Sequence, residues 1–196
     1  MVYRRFMKRF LDFWLAMILF VILFVPMIIV GVVIKLTSRG PALFVQERYG
    51  RNSRPFKLYK FRSMVDTAPE ISNSYFSDIK SYITPFGMFI RRTSVDELPQ
   101  LLNIIKGDMS FIGPRPLAST DDKVLMLRKE NGADSVLPGI SGLAQVNGRN
   151  NITDEDKARY DEKYANEMSF HLDMIILVKT FFYTLSGTGV FNNLNK

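Results

Sequence analysis

Hydrophobic positions change character along the chain. From Phe13 to Ile34 they are continuous, an uncharged run of 22 residues that as a straight helix would reach about 33 Å, enough to cross a bilayer. From Gly40 they are interleaved with polar residues. Leu43-Phe44-Val45 and Phe56-Lys57-Leu58-Tyr59 read as short strands joined by the turn-rich Tyr49-Gly50-Arg51-Asn52-Ser53-Arg54-Pro55. Leu98, Leu101, Leu102 and Ile105 follow the i, i+3, i+4, i+7 rule, which predicts a helix with one buried face from about residue 95 to 105. Asp66 to Ser81 is polar and reads as loop with irregular helix, and Asp121 to Glu130 as a mixed helix. Leu137 to Asn151 reads as a glycine-rich loop, and Thr153 caps a helix over Asp154 to Glu167. Phe170 to Leu185 is apolar and aromatic, interrupted by Asp173 and Lys179, and suits a core helix or a membrane-surface helix equally. There is no internal repeat, heptad pattern or P-loop.

The long apolar run is not a cleavable leader, being too long and lacking a small-residue cleavage site. Two arrangements fit it. A plain spanning helix satisfies the length. Pro26, near the middle, removes a helix hydrogen bond and permits a sharp bend. Arg4, Arg5, Lys8 and Arg9 precede the run, and Lys35 and Arg39 follow it. If basic flanks prefer the cytoplasmic side, a helix that enters, breaks at Pro26 and returns satisfies both ends, whereas a span satisfies one.

Charge narrows the class of partner. Lys and Arg number 26 against 19 acids, a net charge of +7, which suggests an anionic partner: nucleic acid, a lipid surface or a phosphorylated substrate. The absence of cysteine excludes a disulfide framework and thiolate metal sites. The only histidine, His171, lies in an apolar run with no second histidine to build a metal cluster, and reads as a packed or interfacial side chain. Arg48, Arg51, Arg54, Lys57, Lys60 and Arg62 form a run without an acid, either a solvated basic face or a surface for lipid headgroups or a nucleotide diphosphate.

The densest candidate chemistry lies between Thr93 and Pro116. Asp96 and Glu97 follow Arg91 and Arg92, and Gly113-Pro114-Arg115-Pro116 sets another arginine downstream. A helix start favours negative charge, from a side chain or a bound phosphate. Ser94-Val95-Asp96-Glu97 equally fits a capping box, with Ser94 as cap and Glu97 reaching back to it. Pro99 bends such a first turn or delays the helix. In the later glycine-rich loop, Gln145, Asn147, Arg149 and Asn150 supply donors, and Asn151-Ile152-Thr153 matches a glycosylation acceptor of a kind frequent by chance.

Several motifs occur together in one order: Lys8-Arg9-x-x-Asp12, a central Pro26, Lys60-Phe61-Arg62-Ser63-Met64, Asp96-Glu97-Leu98-Pro99-Gln100, Lys106-Gly107-Asp108-Met109-Ser110, Gly113-Pro114-Arg115-Pro116, and Pro138-Gly139-Ile140-Ser141-Gly142 running into Gln145-Val146-Asn147-Gly148-Arg149. Over nearly its whole length the chain resembles the small monotopic phosphoglycosyl transferases, bacterial sugar transferases that start glycoconjugate assembly on a polyprenyl phosphate.

The resemblance implies an α+β, mostly helical fold. A basic N-terminus and re-entrant membrane hairpin broken at Pro26 would occupy residues 1–39. A cytosolic catalytic domain with a short β-hairpin and surface amphipathic helices would occupy residues 40–196. It implies transfer of a sugar 1-phosphate from a UDP-sugar to undecaprenyl phosphate with release of UMP, at the cytoplasmic face of the bacterial inner membrane. Asp96 would be the nucleophile, and Glu97 beside it, together with Asp96, would hold Mg²⁺. Arg91, Arg115 and Arg149, together with Lys60, Arg62, Gln145 and Asn147, fall in motifs expected to bind substrate. Membrane lipids are expected partners, nucleic acid is not, and a homo-oligomer is compatible with the pattern. Val25 departs from the family, where many members have serine before the central proline, so the bend would rest on Pro26 alone. A membrane-anchored nucleic-acid-binding module and a lipid diphosphate hydrolase are the competing classes; only the transferase forms UMP from a UDP-sugar.

Overall fold

The apolar run forms a helix that stays against the rest of the chain along one side. In a computed structural model, which describes residues 3–68, 80–148 and 152–185, a π-helical turn at Tyr3–Met7 leads into α1, Lys8–Thr37, assigned as one helix through Pro26. Its buried residues are Lys8, Asp12, Ala16 and Ile34. Leu19, Phe20 and Leu23 pack with Ala16, Leu58, Leu101 and Ile104, while Met27 and Val30 pack with Ile34, Phe61 and Ile90. Steps of three and four residues keep all of these in one stripe. Trp14, Ile18, Val21, Ile22, Ile29 and Val32 are exposed apolar residues.

Both ends of the stripe are tied to the rest of the chain. Near the start, Lys8 Nζ lies 2.7 Å from Asp173 Oδ2, and Ser110 Oγ donates to Asp12 Oδ2 at 2.7 Å. The Arg9 guanidinium donates to the Ile104 and Ile105 carbonyls. At the far end Arg62 Nη2 donates to the Ser38 carbonyl at 2.9 Å. Asp12 and Ile34 are about 33 Å apart at 1.5 Å per residue in a straight helix. A helix crossing a membrane away from its domain would touch that domain at one end.

The expected hairpin is present and longer than the pattern indicated. β1, Leu43–Tyr49, pairs antiparallel with β2, Pro55–Phe61, in a register from Leu43 opposite Phe61 to Tyr49 opposite Pro55. α2, Pro85–Arg92, follows, and the helix anticipated over residues 95–105 divides into a 3₁₀ turn, Val95–Glu97, and α3, Gln100–Lys106. Pro99 explains the break: it has no N–H to donate backward. Gly107, at φ 96, closes α3 in the left-handed conformation open to glycine.

The loop anticipated over Leu137 to Asn151 is instead partly regular. β4, Gly139–Ser141, pairs in parallel with β3, Ser110–Ile112, and α5, Leu143–Asn147, follows. A parallel pair needs a crossover, and α4, Asp122–Asn131, lies within it. α6 spans Asp154–Glu167, as anticipated, with the Thr153 side chain accepting from Asp156 N at 3.1 Å. α7, Phe170–Leu185, buries Asp173 and Ile176 and exposes Ile175, Val178, Phe181 and Phe182; His171 is also exposed. Tyr164 and Ile176, fully buried, join Ile112, Leu143 and Val146 in a core cluster. Tyr164 Oη donates to Asp173 Oδ1 at 2.8 Å, so the acid in the apolar helix is satisfied inside.

Candidate functional site

Asp96 is buried at 9 % relative exposure, at the centre of a turn built from three pieces of chain. The first piece is the end of β2. Lys60 Nζ lies 2.9 Å from Glu97 Oε1, and just beyond the strand Ser63 Oγ accepts from Arg91 Nε at 2.7 Å. The second is α2. Thr84 caps it by accepting from Gly87 N at 2.9 Å, and Pro85 begins it. A Cβ on Gly87 would stand 1.9 Å from the Ser63 carbonyl oxygen, so only glycine lets α2 lie close enough for Arg91 to reach Ser63.

The third piece is the turn itself. Ser94 has φ 57 and ψ 16, left-handed for a residue with a Cβ, and its side chain makes no cap bond. The capping-box alternative is therefore replaced: Glu97 N donates to the Ser94 carbonyl at 3.1 Å, and the Glu97 carboxylate turns to Lys60. Val95 and Leu98 pack on the cluster of Ile34, Phe61 and Ile90, which sets the turn against the C-terminal half of α1.

Burial, then the Glu97 charge, push the Asp96 carboxyl up to about 6, against the pull of Lys60 and Arg91. Burial lowers the Arg91 guanidinium, opposed by Asp96 and Glu97. An ionised Asp96 is thus poorly solvated and short of positive charge, as suits a nucleophile. Among the described residues no group of three or more His, Cys, Asp or Glu side chains gathers. The donor set at this turn is two adjacent carboxylates, which fits a hard cation that completes its shell with substrate phosphate and water.

The other anticipated residues lie elsewhere. Arg62 is buried at the exit of α1, with Nη2 on Ser38 and with Nε and Nη1 unpartnered. Arg115 is exposed, its carbonyl held by Arg128 Nη1 at 2.9 Å. The Gln145 amide atoms are buried without partners, and the exposed Asn147 donates to the Leu143 carbonyl of its own helix at 2.8 Å. Arg149 lies outside the described residues, and Pro26 lies within α1. The basic run from Arg48 to Arg62 does not form one free face, because Lys60 is paired with Glu97 and Arg62 with Ser38. Sequence reasoning passed over Gly87 and the site-shaping role of Ser63; Gly87 had a faint signal as a glycine inside an otherwise apolar segment.

The model of the bacterial sugar transferase family matches residues 3–187. The chain is 40% identical over 184 residues to the sugar transferase EpsL of Bacillus subtilis, covering 94% of this chain and 90% of that protein. It is 39% identical over 192 residues to UDP-N-acetylgalactosamine-undecaprenyl-phosphate N-acetylgalactosaminephosphotransferase of Aeromonas hydrophila, covering 94% of this chain and 45% of that protein. It is 35% identical over 205 residues to undecaprenyl-phosphate galactose phosphotransferase of Salmonella typhimurium, covering 95% and 42%. The chain thus spans less than half the length of the latter two relatives.

Proposed function

The chain belongs to the bacterial sugar transferase family, and on that premise we propose that it is a phosphoglycosyl transferase, moving a sugar 1-phosphate from a UDP-sugar to undecaprenyl phosphate. The observation that carries this reading is the buried Asp96 between Glu97, Lys60 and Arg91.

Asp96 attacks the phosphorus that bears the sugar. A bond forms from its carboxylate oxygen to phosphorus, the diphosphate P–O bond breaks, and UMP departs with those electrons. The polyprenyl phosphate then attacks the same phosphorus and releases the aspartate. Arg91, held by Ser63, and Lys60 face the charge that the two anions bring together. Glu97, with Asp96 beside it, would hold Mg²⁺, which supplies charge neutralisation for the diphosphate. Arg115, Arg149 and Gln145 belong to the substrate-binding segments in this reading.

In this reading α1 enters and leaves the cytoplasmic leaflet of the bacterial inner membrane, bending at Pro26 within a helix that stays continuous, so the rest of the chain lies on the surface where the carrier phosphate emerges. The stripe on α1 that meets the soluble portion at both ends supports this, as do the exposed apolar faces of α1 and α7. Tyr3 packs edge-on against Phe170, which brings the starts of these two helices together. UMP release in lipid nanodiscs with Mg²⁺, undecaprenyl phosphate and a panel of UDP-sugars tests the reading. Release with one sugar, lost in Asp96→Asn, supports it; release that persists in Asp96→Asn removes the nucleophile.

A further inference from the structure

The hairpin that presents Lys60 to Glu97 carries a second cation at its other end. In its register Lys60 stands opposite Phe44 and Arg48 opposite Phe56, about 13 Å apart along the ladder at roughly 3.3 Å per residue. The strand of Arg48 is clipped to the segment just after Arg115: Tyr49 N donates to the Leu117 carbonyl at 2.8 Å and Leu117 N to the Tyr49 carbonyl at 3.3 Å. This bridge brings Arg48 and Arg115 into one neighbourhood.

Neither guanidinium is satisfied there. Arg48 is partly buried; its Nη2 donates to the neutral Gln46 Oε1 at 2.6 Å, and its Nε is buried with no partner. Among the described residues no hydrogen bond or ion pair holds the Arg115 side chain, although Arg128, locked to Asp161 at 2.6 Å, fixes its backbone. Asp121 is the acid whose charge reaches Arg48, and its Oδ2 already accepts from Ala118 N at 2.9 Å. Burial and the Arg115 charge pull the Arg48 guanidinium down to about 10, with Asp121 opposing. Two like charges, one of them with a desolvated open donor, are repulsive until an anion joins them. A phosphate oxygen pair matches the planar fork of arginine.

We propose that Arg48 is a further substrate-binding residue, forming with Arg115 a clamp for one phosphate group at the opposite end of the hairpin from Lys60. This rests on the transferase reading, which supplies two sources for that group: the nucleotide phosphate released as UMP, or the headgroup of the polyprenyl phosphate.

Equilibrium binding tests the clamp without requiring turnover. Wild type, Arg48→Gln and Arg48→Lys in nanodiscs are titrated with UMP and, separately, with geranyl phosphate, and folding is checked by circular dichroism. Arg48→Gln is expected to weaken one of the two roughly tenfold or more, the loss of a charge-assisted contact. Arg48→Lys, which keeps the charge and loses the fork, falls between. Weakening confined to UMP assigns the clamp to the nucleotide, and weakening confined to geranyl phosphate assigns it to the lipid headgroup. Unchanged binding of both by Arg48→Gln overturns the proposal, as does wild type that binds neither. If Arg48→Gln does not fold, unchanged binding by Arg48→Lys overturns it alone. Binding that depends on Arg48, in a wild type that forms no UMP from any UDP-sugar, counts against the transferase reading and not against the clamp.

Discussion

Lys60 Nζ lies 2.9 Å from Glu97 Oε1, and this one contact joins the end of a β-hairpin to the turn that buries Asp96. Lys60 also opposes the upward push on the Asp96 carboxyl. It therefore acts on both carboxylates.

Lys60→Gln removes that charge while keeping much of the side-chain length. The kcat/KM for a UDP-sugar is expected to fall about 10- to 100-fold, the range for losing a hydrogen bond to a charged group. The acid limb of the pH profile moves upward. A pH profile identical to wild type would remove Lys60 from the site's electrostatics.

In the proposed reaction Asp96 attacks as the ionised carboxylate, and burial pushes its carboxyl up to about 6 from the usual 3.8. Activity is expected to fall by about tenfold per unit as pH drops below that value. Initial rates of UMP release between pH 5 and 8 check this, and a limb near 4 contradicts it.

The same shift carries a cost in stability. The folded-state value, about 6, lies above the unfolded value of 3.8, so protonation favours the fold. That stabilisation is complete below about pH 4 and is lost as pH rises through about 6. Asp96→Asn mimics the protonated carboxyl, so at pH 7.5 in chelator it should be more stable than wild type, by on the order of 3 kcal/mol at most, and unfold at higher temperature. The difference should vanish near pH 4. Equal melting at pH 7.5 would mean that Asp96 is not strained by its burial.

Gly87→Ala would drive a methyl group into the Ser63 carbonyl, 1.9 Å away. The obstacle is backbone, so α2 must shift and Arg91 must leave Ser63. A destabilisation of about 1–3 kcal/mol, the usual cost of overpacking, should accompany loss of most activity. Full activity in a correctly folded Gly87→Ala protein would show that the Arg91–Ser63 contact is dispensable.

Much of this arrangement was legible in the residues. Phe13 to Ile34 was legible as helical membrane-type sequence from its unbroken apolar run, although its residues left a continuous helix and one broken at Pro26 both open. α6 was found to the residue because Thr153 is a local cap, and local signals survive tertiary packing. The pairing of Asp96 with Glu97, and the order of the motifs around it, pointed to phosphate-type chemistry, and the structure buries Asp96 within that stretch.

Other features depended on contacts between residues far apart in sequence. Ser94 to Glu97 looked like a capping box, and became a left-handed residue and a 3₁₀ turn because Lys60 offered Glu97 a charged partner that Ser94 could not match. Gly139 to Ser141 became a strand because its neighbour, Ser110 to Ile112, lies about thirty residues earlier, and no period in three residues announces a parallel partner. Composition and spacing by themselves determined which segments are apolar, where helices can start and which residues carry chemistry, since those are properties of neighbours along the chain. Only the tertiary structure decided that α1 keeps one side against the rest of the chain, that Lys8 is buried with Asp173, and that Asp96 is desolvated, because burial is created by the segments that happen to cover a residue.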